Sequence, residues 1–128
     1  MISHKAIISI GSNHSNGEQI LSKTCNILSL WIKGMKGTSY LHNPAIGMAE
    51  GTPDFTNRLL SITTTLSQCE LNALLKHLEL MAGDTKEKRR NGIITLDCDL
   101  DIYDGEVLKP RNVEREYFHI LFAELARE

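Results

Sequence analysis

Residues 94–102 read Ile-Thr-Leu-Asp-Cys-Asp-Leu-Asp-Ile, alternating without interruption between apolar and polar side chains. A period of two belongs to an extended strand, whose successive side chains point to opposite faces. One face, carrying Ile94, Leu96, Cys98, Leu100 and Ile102, must be covered by other elements. The opposite face carries Thr95, Asp97, Asp99 and Asp101, with its carboxylates about 6.5–7 Å apart. Like charges at that spacing repel and call for a neutralising partner. A hard dication with oxygen ligands, Mg²⁺ above all, suits them, because it stays partly hydrated and leaves positions for phosphate oxygens. The other reading is a solvated face that blunts a sheet edge.

The rest of the chain supplies the covering elements. Ala6–Ile10 is a β-branched run stopped by Gly11-Ser12-Asn13, and reads as a strand entering a turn. Ser15-x-x-Glu18 has the form of a capping box, followed by Ile20, Leu21, Ile27, Leu28 and Trp31 at helical spacing, with Gly34 and Gly37 ending that helix. Thr38–Leu41 reads as a strand, 42–54 as an irregular stretch with Pro44, Gly47, Gly51 and Pro53, and Leu59–Thr65 as a strand. A second capping box, Ser67-x-x-Glu70, opens a helix with Leu71, Leu74, Leu75, Leu78 and Ala82 on one face and Gly83 as its stop. Residues 84–91 read as a polar loop, and Val113–Ala126 as a final helix. The order β-α-β-β-α-β-α predicts one α+β domain over residues 1–128, a ferredoxin-like αβα sandwich on a mostly antiparallel four-stranded sheet.

Composition narrows the function classes. Fourteen Lys and Arg stand against sixteen Asp and Glu, a formal net charge of −2, without the basic excess of a nucleic-acid or membrane-surface binder. No apolar run reaches membrane-spanning length, and the first residues lack a signal-peptide apolar region, so a cytoplasmic protein is expected. Cys25, Cys69 and Cys98 are odd in number and contain no CxxC, which argues against a disulfide framework or zinc site. His42, His77 and His119 lack metal-ligand spacing. Neither GxxxxGK[ST] nor GxGxxG occurs. Basic residues flank the acidic strand instead: Lys86, Lys88, Arg89 and Arg90 before it, Arg111 and Arg115 after it. Cations beside a carboxylate–Mg²⁺ site are what a polyphosphate requires.

Five segments in order resemble one family. Ile8-Ser9-Ile10-Gly11-Ser12-Asn13 is similar to the I-x-x-G-S-N signature of 6-hydroxymethyl-7,8-dihydropterin pyrophosphokinases. Asn43-Pro44-Ala45-Ile46-Gly47 resembles their pterin loop, Pro53-Asp54-Phe55-Thr56-Asn57 their P-D-[YF]-x-N segment, Thr95–Asp99 their metal strand, and Arg115-Glu116-Tyr117 their late R-x-[FY]. The resemblance implies transfer of the β,γ-pyrophosphoryl unit of ATP to a dihydropterin, with two Mg²⁺ ions; a monomer is expected rather than an oligomer, and the charge balance and hydropathy predict no nucleic-acid or membrane partner. It implies catalytic roles for Asp97, Asp99 and Arg90, the two aspartates also holding the metal. Asn43, Pro44, Ile46, Phe55, Asn57 and Tyr117 become the pterin set. Glu79, Lys86, Arg90, Lys109, Arg111 and Arg115 become the nucleotide set.

Departures from the family pattern bear on activity. Ile94 stands where the family has an arginine, Asn91 where it has a tryptophan, Asp84 where it has a loop arginine, and Leu108-Lys109 where it has Pro-His. Regular alternation puts Ile94 on the apolar face; the resemblance puts position 94 in a loop facing the phosphates. The resemblance also leaves a second function open, a catalytically impaired homologue that binds pterin or nucleotide.

Overall fold

A computed structural model describes residues 2–45 and 47–127; Ile46, a candidate pterin residue, lies outside the described residues. Its sheet is built on β1 (His4–Ser12), which pairs antiparallel with β4 (Phe55–Thr64) on one side and β5 (Asp97–Tyr103) on the other. β2 (Gly34–Gly37) and β3 (Leu41–Asn43) both pair with β4, and β6 (Glu106–Val107) pairs with β5, again antiparallel. The order is β2-β4-β1-β5-β6 with β3 beside β4. The α+β class therefore holds, but the sheet has six strands where four were expected: the short β2, β3 and β6 show no period, and the expected strand Thr38–Leu41 falls mainly between β2 and β3.

Helices cover both faces. α1 (Gly17–Leu28) and α2 (Gln68–Met81) bury Leu21, Leu28, Leu71, Leu75 and Leu78 against Ile8, Ile10, Leu60, Ile62, Leu96, Cys98 and Leu100. Each such leucine contributes about 1.5–3 kcal/mol relative to exposure. On the other face α5 (Glu116–Ala126) packs Phe118 and Leu121 against Leu59, Ile7 and Ile102. α3 (Lys86–Arg90) and α4 (Pro110–Val113) are single-turn connectors. Among the described residues no helix is long and apolar enough to cross a membrane.

Several local expectations change. The Ser67–Glu70 capping box forms, with both reciprocal hydrogen bonds, and Gly83 ends α2 at φ +87°. The Ser15–Glu18 box does not: α1 is capped by Asn16 without a side-chain bond, while the Ser12 hydroxyl and His14 ring take the nearby N–H groups. Gly34 and Gly37 are strand residues, since α1 has already ended at Ser29. At Gly37 a Cβ would lie 2.5 Å from Arg58 Nη2, so glycine lets the guanidinium cross the strand. Residues 38–40 link β2 to β3, so the expected strand Thr38–Leu41 is met only at Leu41; Thr38 is buried and its hydroxyl accepts the Leu59 N–H. The expected loop 84–91 contains α3, whose first turn is capped by the Thr85 hydroxyl.

β5 departs from strict alternation at both ends. It begins at Asp97, so Ile94 precedes the strand. At the far end the register against β1 slips, Ile8 facing Leu100 and Ile7 facing Ile102, which leaves Asp101 as an extra residue. This bulge turns Ile102 onto the α5 face, while Tyr103 joins the α1–α2 face.

Candidate active site

Strand register builds the site. Gly11 on β1 lies opposite Asn57 of β4 and Asp97 of β5; two residues back, Ser9 lies opposite Asp99. β3 sets Asn43 opposite Phe55 and Leu41 opposite Asn57. These positions share the sheet face that α4 and the start of α5 only partly cover. A cleft of about 190 Å³ remains there, lined by Asn43, Pro44, Phe55, Asn57, Asp97, Asp99, Arg115 and Tyr117, all singled out in the sequence. Ser9, Gly11, Met48, Ile94 and Asn112 complete much of its wall. Position 94 thus faces the cleft as the loop placement requires.

The glycine has a steric cause. A Cβ on Gly11 would lie 2.5 Å from Asn57 Oδ1, so any larger residue pushes the amide out of place. Asn57 is buried and donates a short hydrogen bond from Nδ2 to Asn43 Oδ1, fixing one amide by the other. Phe55 and Tyr117 provide ring surface nearby. Burial, then the negative Asp101, raises the Tyr117 phenol to about 12, so it stays protonated.

The carboxylates differ from one another. Burial and the neighbouring Asp99 raise Asp97 to about 6, against which Arg89 works. Asp99 Oδ2 accepts from Asn112 Nδ2 at 3.0 Å, and the same amide donates to Asp101 Oδ1 at 2.9 Å. Asp101 is fully buried; desolvation raises it to about 6, and the Asn112 hydrogen bond offsets only part of that. Two aspartates, Asp97 and Asp99, therefore open on the cleft, and the third is a buried support. Asn112, which bridges Asp99 and Asp101, carried no signal in the sequence, since its role depends on the α4 turn.

β6 flanks β5 only at Ile102 and Tyr103, and at residues 95–98 the edge is closed by side chains instead. Glu79 Oε2 accepts the Cys98 N–H at 2.8 Å, and Lys76 Nζ donates to the Cys98 carbonyl at 2.9 Å and to Glu79 at 3.1 Å. One turn away, Asp84 Oδ1 accepts the Thr95 N–H at 3.0 Å, Arg89 Nη2 donates to the Leu96 carbonyl at 3.2 Å, and Arg89 Nε meets Asp84 Oδ2 at 2.6 Å. Each acid–base pair thus satisfies both a donor and an acceptor of the edge. Asp84 carries a negative charge where the resemblance expects an arginine, and Arg89 answers it.

Other candidate nucleotide residues lie outside the cleft lining. Glu79 holds the strand edge. Lys86 and Arg90 are exposed on α3, with Arg90 beside the 48–53 loop in a separate shallow groove. Lys109 lines another groove with Gln68, Cys69 and Leu108, and Arg111 is exposed on α4. Of the basic run before the strand, Arg89 reaches the acidic face: its Nη2 is 3.6 Å from Asp97 Oδ1. Lys76, which has no signature in the sequence, stands 3.6 Å from Asp99 Oδ1. A lysine on an amphipathic helix looks like any solvated residue until the packing of α2 beside β5 is known.

Fold and cleft together define an α+β domain with a dicarboxylate on one wall of a site and an amide–aromatic surface on the other. A family model described as 7,8-dihydro-6-hydroxymethylpterin-pyrophosphokinase (HPPK) matches residues 7–127, and the chain belongs to that family. No curated protein matches the sequence. The family implies transfer of pyrophosphate to hydroxymethyldihydropterin in folate synthesis.

Proposed function

We propose that this chain transfers the β,γ-pyrophosphoryl unit of ATP to the hydroxymethyl oxygen of 6-hydroxymethyl-7,8-dihydropterin and releases AMP. One observation carries the reading: the Asp97–Asp99 pair and the Asn43, Phe55, Asn57, Tyr117 surface line a single cleft. Phe55 and Tyr117 offer ring faces to a planar heterocycle, and the paired amides of Asn43 and Asn57 offer fixed donors and acceptors to its edge. Arg115 supplies a cation at the same cleft.

The donor set fits Mg²⁺. It consists of carboxylate oxygens at alternate strand positions, and among the described residues no cluster of three or more His, Cys, Asp or Glu closes a cage. An ion that keeps waters and takes phosphate oxygens suits such an open pair. When bound, Mg²⁺ supplies charge neutralisation for the phosphates. Asn112 holds Asp99 in orientation, and the Gly11–Asn57–Asn43 contact holds the acceptor pocket.

A second reading has its own observation. Ile94 lines the cleft where the resemblance expects an arginine, and a lost charge-stabilising donor costs about 3–4 kcal/mol, roughly 10²–10³ in rate. A chain so altered serves as a pterin- or nucleotide-binding module. AMP release from ATP and the dihydropterin separates the two, with Asp97→Ala as control. Release that disappears in the variant supports catalysis. Binding of a non-hydrolysable ATP analogue with Mg²⁺ and no AMP above background supports the module. Absence of both overturns both.

A further inference from the structure

Both acid–base pairs on the β5 edge place their cation beside a carboxylate of the open dyad. Lys76 Nζ is 3.6 Å from Asp99 Oδ1 and Arg89 Nη2 is 3.6 Å from Asp97 Oδ1. Among the described cleft-lining residues the basic side chain is Arg115, one guanidinium for a triphosphate bearing several charges. Lys76 and Arg89 therefore add their charge to a site that otherwise has too little. Their side chains are 46% and 36% exposed, so both are open to solvent on one side. Arg89 is fixed by Asp84 and the Leu96 carbonyl. Lys76 has a flexible stem and a point charge that can turn from Asp99 toward a nearby anion.

We propose that Lys76 acts with Arg89 as a gatekeeping cation pair: it holds a bare dication off Asp97 and Asp99, and binds phosphate oxygens when a nucleotide brings the metal in. This rests on the metal–nucleotide reading above. With no nucleotide, each carboxylate faces a protein cation, and an arriving dication meets repulsion from both. With the triphosphate present, the same cations face anionic oxygens, and their contribution changes sign. A residue that merely caps a strand edge produces no such reversal.

The test titrates metal-stripped protein calorimetrically, first with Mn²⁺ alone, then with a non-hydrolysable ATP analogue in saturating Mg²⁺. Lys76→Gln removes the charge but keeps a donor for the Cys98 carbonyl, and glutamine is a good helix former at this exposed position. It is expected to bind Mn²⁺ about 5–10-fold more tightly and the analogue about 10-fold more weakly, the latter being about 1.4 kcal/mol. Lys76→Arg, which keeps the charge, is expected to restore both. Affinities that move together in Lys76→Gln, or do not move, while the parent binds the analogue, overturn this inference alone. A parent that binds no analogue overturns it together with the metal–nucleotide reading.

Discussion

Asp101→Asn is expected to stabilise the metal-free protein at neutral pH and to flatten its pH dependence. The Asp101 side chain is fully buried, and its pKa rises from the ordinary 3.8 to about 6, chiefly through desolvation. An acid whose folded pKa lies above its unfolded one binds more protons in the folded state between the two values, so stability falls as pH rises through that window. The shift of about two units corresponds to a penalty of roughly 3 kcal/mol, fully present above about pH 7. It shrinks through pH 5 and vanishes below about pH 4. Asparagine is isosteric and uncharged, and its Oδ1 can accept the bond from Asn112 Nδ2 that Asp101 accepts at 2.9 Å. With reorganisation allowed for, the gain is about 2 kcal/mol at pH 8, or about 6–10 °C in Tm for a chain of this length. Thermal unfolding followed by circular dichroism in chelator-containing buffer, at several pH values from 4 to 8, reads it directly. A variant less stable than the parent at pH 8, or an advantage that does not shrink on acidification, refutes the argument that the buried carboxyl is held at a cost.

Asp97→Ala and Asp99→Ala are each expected to abolish Mg²⁺-dependent binding of an ATP analogue while leaving the fold intact; calorimetry with circular dichroism checks both. Phe55→Ala is expected to weaken dihydropterin binding about tenfold or more through lost ring contact, with analogue affinity unchanged, measured by fluorescence titration. Gly11→Ala is expected to weaken pterin binding as well, because its Cβ would meet Asn57 Oδ1 at 2.5 Å; an unchanged dissociation constant shows that the Asn57 amide has no part in the pocket. Ile94→Arg is expected to raise AMP production, by up to roughly 10²–10³-fold, since position 94 lines the cleft and precedes the strand. A folded variant with no gain means that Asp84, Asn91 or Lys109 limits the rate instead.

Long periodic elements were readable in the sequence, and so was much of the cleft. The α2 helix announced itself through its capping box and leucine stripe, and β5 through its alternation, because both patterns are local. The pterin-set residues that line the cleft come from β3 and the proline after it, from β4 and from α5, and only the resemblance joined them before register did. What escaped depended on contacts across the fold. Gly37 read as a helix stop because nothing local reveals that Arg58 needs its empty side-chain position. The Asp101 bulge was hidden by a pattern that continues regularly past it, since a bulge is a property of two paired strands. Lys76 and Asn112 had no local signature, and Glu79 and Asp84 gained their meaning from backbone groups up to 19 residues away.

The side-chain closure of the β5 edge has a consequence for how this molecule behaves at high concentration. An open strand edge recruits foreign strands and seeds aggregation, and a residue engages an incoming antiparallel strand by giving its N–H and its carbonyl together. At Cys98 the N–H is held by Glu79 and the carbonyl by Lys76. If Lys76 turns away toward an anion, only the carbonyl is released, and water satisfies it. The donor remains covered, so the edge offers an acceptor without its matching donor and cannot template a neighbour at that residue. The edge is thereby insulated from the movement of the lysine, whereas in Glu79→Ala the donor is free, so each time Lys76 turns away the N–H and carbonyl of Cys98 open together and the edge can pair.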